Sequence, residues 1–300
     1  MPRRQRETIA AKATELARRQ REQTRTRLQQ AKADGRLDAQ AVADFAWLHM
    51  TDDYGRPITP AAHHWLWLDL MCNQAIKKLL IIAPPESAKT TWLLAYYGTS
   101  IAFYPEWPHS IAAVTGSVAI KRSITLRNVV TSPEFQATFP EVQPAVGMTW
   151  NQDEWSVAPN GRSRPGRVHP TMGAMGVGGS IIGSRARLAG GDDLHDQENS
   201  RTANQRDQVH TWLHQSFLSR RMSRVGRSIV IGTAWHHDDT YARMKAEGGW
   251  VVCHLPILSA GPEVWAIITY PDGYAGERLG EPVSQAELNE LEELNESENV

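Results

Sequence analysis

Lys89 and Thr90 are the pair of residues in this chain best placed to hold a phosphate. The apolar run Leu79-Leu80-Ile81-Ile82 feeds a short turn, Ala83-Pro84-Pro85-Glu86-Ser87-Ala88. The turn delivers the pair to the start of a helix expected from Trp92 to Phe103. In such a layout a strand ends on converging backbone N–H groups, a lysine reaches the β- and γ-phosphates, and a hydroxyl holds Mg²⁺. The spacing G-x-x-x-x-G-K-[ST] is kept from Ala83 to Thr90, with alanine at both glycine positions. The plainer account of the same residues is a solvated lysine after a proline-rich turn.

Phosphate chemistry also needs carboxylates on a neighbouring strand end, one for the metal and one for the attacking water. Asp192-Asp193, after Ala186-Arg187-Leu188-Ala189-Gly190-Gly191, are the best candidates, although two glycines stand where a strand should carry bulky residues. An acidic loop capping a helix is the competing account. A third cluster, Gly232-Thr233-Ala234-Trp235-His236-His237-Asp238-Asp239, follows the apolar run Ile229-Val230-Ile231. Thr233 there is placed to sense a γ-phosphate. His and Asp are metal ligands, but three of these four residues open a helix at consecutive positions and cannot all face one ion. Asp238 or Asp239 also reads as a helix N-cap.

Elements that must position these groups alternate along the chain. Residues 1–40 read as a polar helix broken at Gly35, with a thin stripe of Ala10, Ala13, Leu16 and Ala17, followed by an apolar helix from Ala39 to Met50. After a turn-rich link, Ala61 to Lys78 forms a Trp-rich helix. Strands are expected at Ser110–Thr115, Ser228–Thr233 and Trp250–Leu255, with an edge strand at Trp155–Ala158. Helices are expected at Val118–Val130, Ala203–Met222 and Asp238–Glu247, and Val168–Gly183 is glycine-rich. There is no internal repeat. Alternating strands and helices predict a mainly parallel sheet covered on both faces.

The 300 residues suffice for a large α/β core, and the net charge of −1 announces no global affinity for nucleic acid. Charge is segregated: an arginine-rich first segment suits polyanions, and a glutamate-rich last segment suits an interaction tail or simple solvation. Cys72 and Cys253 alone make neither a disulfide framework nor a cysteine zinc site. No run approaches the roughly 20 apolar residues of a membrane helix, and no apolar signal core opens the chain. A soluble protein of a reducing compartment is expected.

Taken in order, Ala83 to Thr90, Gly176-Val177-Gly178-Gly179-Ser180-Ile181-Ile182-Gly183-Ser184-Arg185-Ala186, Asp192-Asp193, Trp212 in a helix ending Ser219-Arg220-Arg221, Gly232 to Asp239, and Leu255-Pro256 resemble the ATPase half of a tailed-phage large terminase subunit. The resemblance runs from about Ala61 to Leu291, and its most specific part is Gly-Thr-x-Trp-His-x-Asp-Asp. It implies a P-loop ATPase of the additional-strand type, a mainly parallel sheet flanked by helices with a helical N-terminal arm. It also implies a motor that uses ATP and Mg²⁺ to pack double-stranded DNA into procapsids. Pro85, Glu86, Ser87, Ala88, Lys89, Thr90 and Thr91 would form the nucleotide cradle, Thr90 and Asp192 would hold Mg²⁺, and Asp193 would be the catalytic carboxylate. Thr233 would couple hydrolysis to movement, and Arg185 or Arg187 would serve a ring neighbour as an arginine finger. The implied partners are DNA, the portal and procapsid, the small terminase subunit and further copies in a ring, all in the cytoplasm of an infected bacterium and away from membranes. The family usually adds a C-terminal RNase H-like nuclease domain, so either a separate nuclease subunit is a further partner or this chain is one piece of a longer one.

Departures from that pattern are Pro85 and Glu86 where many relatives have Arg and Gly, alanine at position 88, and Asp at position 193 where Glu is common. On this reading residues 1–50 are a basic arm, 51–265 the ATPase domain, and 266–300 an acidic linker and tail with no room for a nuclease domain. A helicase-like translocase and a P-loop scaffold that does not hydrolyse ATP are the rival readings. The first would need a second RecA-like domain. Ala83, Glu86 and Ala88 favour the second, whereas Lys89, Thr90, Asp192 and Asp193 oppose it.

Overall fold

The computed structural model describes residues 3–179, 185–256 and 266–279. The Ser180–Ser184 part of the glycine-rich string and residues 280–300 of the expected tail lie outside the described residues. In chain order the elements are α1 (Arg3–Ala33), α2 (Ala39–His49), α3 (Ala62–Cys72), β1 (Lys78–Ile82), α4 (Lys89–Phe103), β2 (His109–Ala113), α5 (Gly116–Thr131), α6 (Pro133–Thr138) and β3 (Val142–Pro144). They continue with β4 (Glu154–Trp155), β5 (Val157–Pro159), β6 (Met172–Gly176), β7 (Leu188–Asp192), α7 (Ala203–Trp212), β8 (Arg227–Gly232), α8 (Thr240–Glu247), β9 (Val251–His254) and β10 (Ile267–Thr269).

Eight strands form one sheet in the order β10-β9-β1-β8-β7-β2-β6-β4. Every neighbouring pair from β9 to β6 is parallel, and β10 and β4 close the edges antiparallel. Parallel strands covered on both faces read as continuous apolar runs, and β1 shows why: Leu79 and Ile81 face one core while Leu80 and Ile82 face the other. The first core is completed by α2, α3 and α4, and the second by Val209, Trp212, Tyr241 and Met244. Strand β8 lies between β1 and β7, so Thr233 leaves the sheet between the Lys89 turn and the acidic pair.

Several expectations are corrected. The edge strand at Trp155–Ala158 is two strands: β4 joins the main sheet on β6, while β5 pairs with β3 in a separate two-stranded sheet. The long helix at Ala203–Met222 is α7 followed by a π turn at Leu213–Phe217 and a 3₁₀ turn at Leu218–Arg220. Ile267–Thr269, read as part of the tail, is a strand of the sheet. Nor is the basic arm separate from the core along its whole length. Leu28, Ala31, Val42 and Phe45 are buried in it, and the Arg27 guanidinium pairs with the buried Asp44. Among the described residues no helix is long and apolar enough to cross a membrane.

Candidate nucleotide site

The turn after β1 is held in an uncommon backbone conformation. Glu86 (φ +63°) and Ala88 (φ +58°) both occupy the left-handed region, which favours glycine. The expected glycine at 88 is thus replaced without loss of the glycine-like backbone. Support comes from below: the Ser87 hydroxyl donates to the Pro84 carbonyl (2.8 Å), and His64 Nε2 lies 2.9 Å from the Ser87 carbonyl. His64 Nδ1 accepts from Ala61 N–H, which leaves its proton on Nε2 to donate to that carbonyl. Burial pushes the His64 pKa down to about 4 and so keeps this tautomer neutral. Lys89 opens α4 with its side chain almost wholly buried, and its ammonium lies 3.5 Å from Asp193 Oδ2.

Asp192 and Asp193 diverge although they are consecutive. Asp192 ends β7, is fully buried, and accepts hydrogen bonds from Thr90 Oγ1 (2.7 Å) and Arg122 Nε (2.9 Å). Burial raises its pKa, against the lowering effects of Thr90 and Arg122. Asp193 follows at φ +47°, a left-handed conformation that Asp tolerates better than most residues. Its Oδ1 accepts from the Thr233 backbone N–H (3.0 Å) and its Oδ2 faces Lys89. The glycines of β7 have their own reason. A Cβ at Gly190 would lie 2.2 Å from Tyr97 Oη, and one at Gly191 would lie 3.2 Å from a Leu194 methyl. Tyr97 and Leu194 supply the bulk that the strand lacks.

One cavity of about 360 Å³ is lined by Pro85, Glu86, Ala88, Lys89, Thr90, Asp193, His195, Thr233 and Trp235. It opens where β1, β7 and β8 end, the edge at which ligands collect in open α/β sheets. Thr90 lies between this cavity and Asp192, so the hydroxyl and the buried carboxylate form one oxygen pair at the cavity floor. A hydroxyl paired with a carboxylate suits a hard cation such as Mg²⁺.

The overall chain path matches a known fold. The HK97 bacteriophage large terminase superposes with a TM-score of 0.50 at 15% sequence identity, over 87% of this chain and 52% of that one. The fold is that of a phage large terminase. This chain spans about half the length of the HK97 protein. No protein-family model matches the sequence, and no curated protein matches it significantly.

Within this terminase fold the remaining candidates separate. The guanidinium of Arg187 stacks 3.6 Å from the centre of the Trp107 ring, which commits it locally. Arg185 is exposed, and its backbone N–H donates to His169 Nδ1. Both lie before the start of β7, whereas Asp192 ends it, and the strand itself spans about 13 Å at 3.3 Å per residue. Neither arginine is near the chain's own cavity. Glu198, a further acid in the segment after β7, lines a different cavity with Thr115 and Val177.

The His236–Asp239 cluster is local architecture. Asp239 caps α8 through Tyr241 and Ala242 N–H and also accepts from Trp235 N–H, while Asp238 pairs with Arg206 and Arg243. On α5, Arg122 turns inward to Asp192, and Arg127 donates to the Asn151 carbonyl. His64, Arg122 and His195 are site residues that no local pattern marks. Each acts on a partner distant in sequence: Ser87, Asp192, and the Thr240 hydroxyl that lies 2.8 Å from His195 Nε2.

Proposed function

We propose that the chain is the ATP-hydrolysing motor subunit of a phage terminase, driving double-stranded DNA into procapsids from the host cytoplasm. The observation that carries this is the convergence of Lys89, Thr90, Asp193 and Thr233 on one cavity at the ends of three adjacent parallel strands, with β8 inserted between the other two. ATP is the substrate. Its phosphates would meet the backbone of Pro85–Thr91 and the Lys89 ammonium, and Thr90 with Asp192 would hold Mg²⁺, which neutralises phosphate charge when bound. In the resting geometry Lys89 faces Asp193. A phosphate that draws Lys89 away leaves Asp193 free to orient the attacking water and accept its proton. Thr233, whose N–H holds Asp193, links that carboxylate to β8. Arg185 would act as a finger on a neighbouring copy in a ring. DNA, the portal and procapsid, and the small subunit are the partners this role requires.

The test is ATP turnover with linear DNA and procapsids. Lys89→Ala should abolish hydrolysis. Asp193→Asn should lower kcat while Mg·ATP still binds, the behaviour of a group used only in the transition state. Arg185→Ala mixed with Lys89→Ala should partly recover turnover, because a finger in trans is worth about 10³–10⁵ in rate. Binding of ATP without turnover by the unaltered chain in the complete system would establish the scaffold reading instead.

A further inference from the structure

A second cluster of ligand-type side chains lies away from the nucleotide cavity. His210 is in the last turn of α7, His214 is in the π turn that follows, and Glu247 is the last residue of α8. One ligand atom from each lies within 4.8 Å of the others. His210 Nε2 is 2.7 Å from Glu247 Oε1, and His214 Nε2 is 3.5 Å from Glu247 Oε2. The imidazole centres are 4.5 Å apart.

One carboxylate therefore faces two imidazoles. It makes a full hydrogen bond with His210 only, and His214 Nε2 is buried with no hydrogen-bond partner. His210 and His214 are four positions apart, which places both on one helix face, and His214 lies in a π turn, a feature that recurs at functional sites. Neither His210, His214 nor Glu247 lines the nucleotide cavity, and none is used by the chemistry proposed there.

We infer that His210, His214 and Glu247 form a site for a divalent transition metal of the zinc class. Two imidazoles and one carboxylate, with a remaining position for water, are a ligand set that Zn²⁺ accepts. With bonds of about 2.0–2.2 Å in tetrahedral geometry, ligand atoms sit roughly 3.4 Å apart. The observed separations of 2.7 Å and 3.5 Å lie on either side of that value. All three ligand atoms lie within 4.8 Å of one another, so no pair exceeds the tetrahedral spacing by more than about 1.4 Å. His210 Nδ1 is buried without a partner, so this ligand lacks the outer carboxylate or carbonyl that tightens strong zinc sites, and the affinity is expected to be moderate. The bound ion would clamp the end of α7 to the end of α8, next to the start of β9.

The experiment uses the full chain with Co²⁺ as a spectroscopic probe and Zn²⁺ in thermal melts, both in excess Mg²⁺ so that oxygen sites are filled. One equivalent of Co²⁺ should develop the intense visible bands of a tetrahedral nitrogen–oxygen site, and Zn²⁺ should displace it. At about 100 times Kd, Zn²⁺ should raise Tm by roughly 5–10 °C, and EDTA should reverse the shift. Losing an outer partner of a metal ligand already costs about 10–100-fold in affinity, so His210→Ala and His214→Ala should each weaken Co²⁺ binding at least tenfold. Glu247→Gln, which keeps the shape, tests the carboxylate separately. Far-UV circular dichroism of the metal-free variants checks that they fold. Absence of the bands and of the Tm shift in the unaltered chain would overturn the inference, as would unchanged Co²⁺ affinity in folded His210→Ala and His214→Ala. The outcome does not depend on ATP hydrolysis.

Discussion

Gly190→Ala should be among the most damaging one-carbon changes in this protein, and its effect should reach the nucleotide site. The new methyl would lie 2.2 Å from Tyr97 Oη and 3.0 Å from two carbons of the same ring. Comfortable separations are about 3.5 Å, so the ring or β7 must give by more than 1 Å. Tyr97 is fully buried on α4, and its hydroxyl donates to the Ser110 carbonyl at 2.7 Å. Overpacking a tight core costs about 1–3 kcal/mol, and a displaced hydroxyl adds the roughly 1–3 kcal/mol of a lost buried hydrogen bond. A total near 3 kcal/mol corresponds to a Tm lower by roughly 6–12 °C in a domain of this size. Tyr97→Phe alone should cost about 1 kcal/mol. In the double variant the 2.2 Å contact is gone, so its cost should fall short of the sum by about 1 kcal/mol or more. Asp192 lies two residues farther along the same strand, so Gly190→Ala should also weaken Mg·ATP binding. Thermal and urea denaturation of the four proteins close the cycle. A Gly190→Ala melt within about 1 °C of the parent, or strict additivity, would refute the argument that Tyr97 supplies the bulk missing from β7.

Ala88→Gly should raise stability by about 0.5–1 kcal/mol in urea titrations, because relief of a left-handed alanine exceeds the added entropy of glycine. Glu86→Gly should also tighten Mg·ATP binding by calorimetry, with a gain that shrinks as salt rises; a salt-independent gain would mean that its charge does not face the phosphates. Arg122→Gln leaves the buried Asp192 carboxylate with Thr90 alone and should destabilise by about 1–3 kcal/mol, a range discounted because Arg122 is one-third exposed. Added Mg²⁺ should then raise Tm more in that variant than in the parent, and an equal rise would argue against metal binding at Asp192. Burial lowers the pKa of His109 from 6.5 to about 4 and that of His49 to about 3. The unfolded chain therefore takes up these protons first, and the stability they provide is complete above pH 6.5 and lost as pH falls toward 4. For His109 the loss is roughly 3 kcal/mol in all, and a urea midpoint that stays flat from about pH 7 to 5 would contradict it.

What the sequence determined by itself is what depends on neighbours in the chain. An apolar run, a proline-rich turn and Lys-Thr suffice to place a strand, a turn and a helix start, because these rest on local backbone preference and on side chains a few residues apart. Asp239 as the cap of α8 was likewise readable as one of two adjacent candidates. Gly190 and Gly191 misled because a strand's bulk can be supplied from elsewhere, here by Tyr97 on α4. The π turn that divides the expected 203–222 helix, and the addition of Ile267–Thr269 to β9, follow from packing that no local pattern carries. Tertiary structure alone decided that β8 enters between β1 and β7, which sets Thr233 against Asp193. It also decided that Arg122 reaches Asp192 across 70 positions, that Arg187 is spent on Trp107 while Arg185 stays exposed, and that two histidines meet Glu247. Each of these is a pairing at long sequence separation. Composition and periodicity constrain which face of an element is buried, but only the closed sheet and its packed helices determine which distant side chain lies opposite.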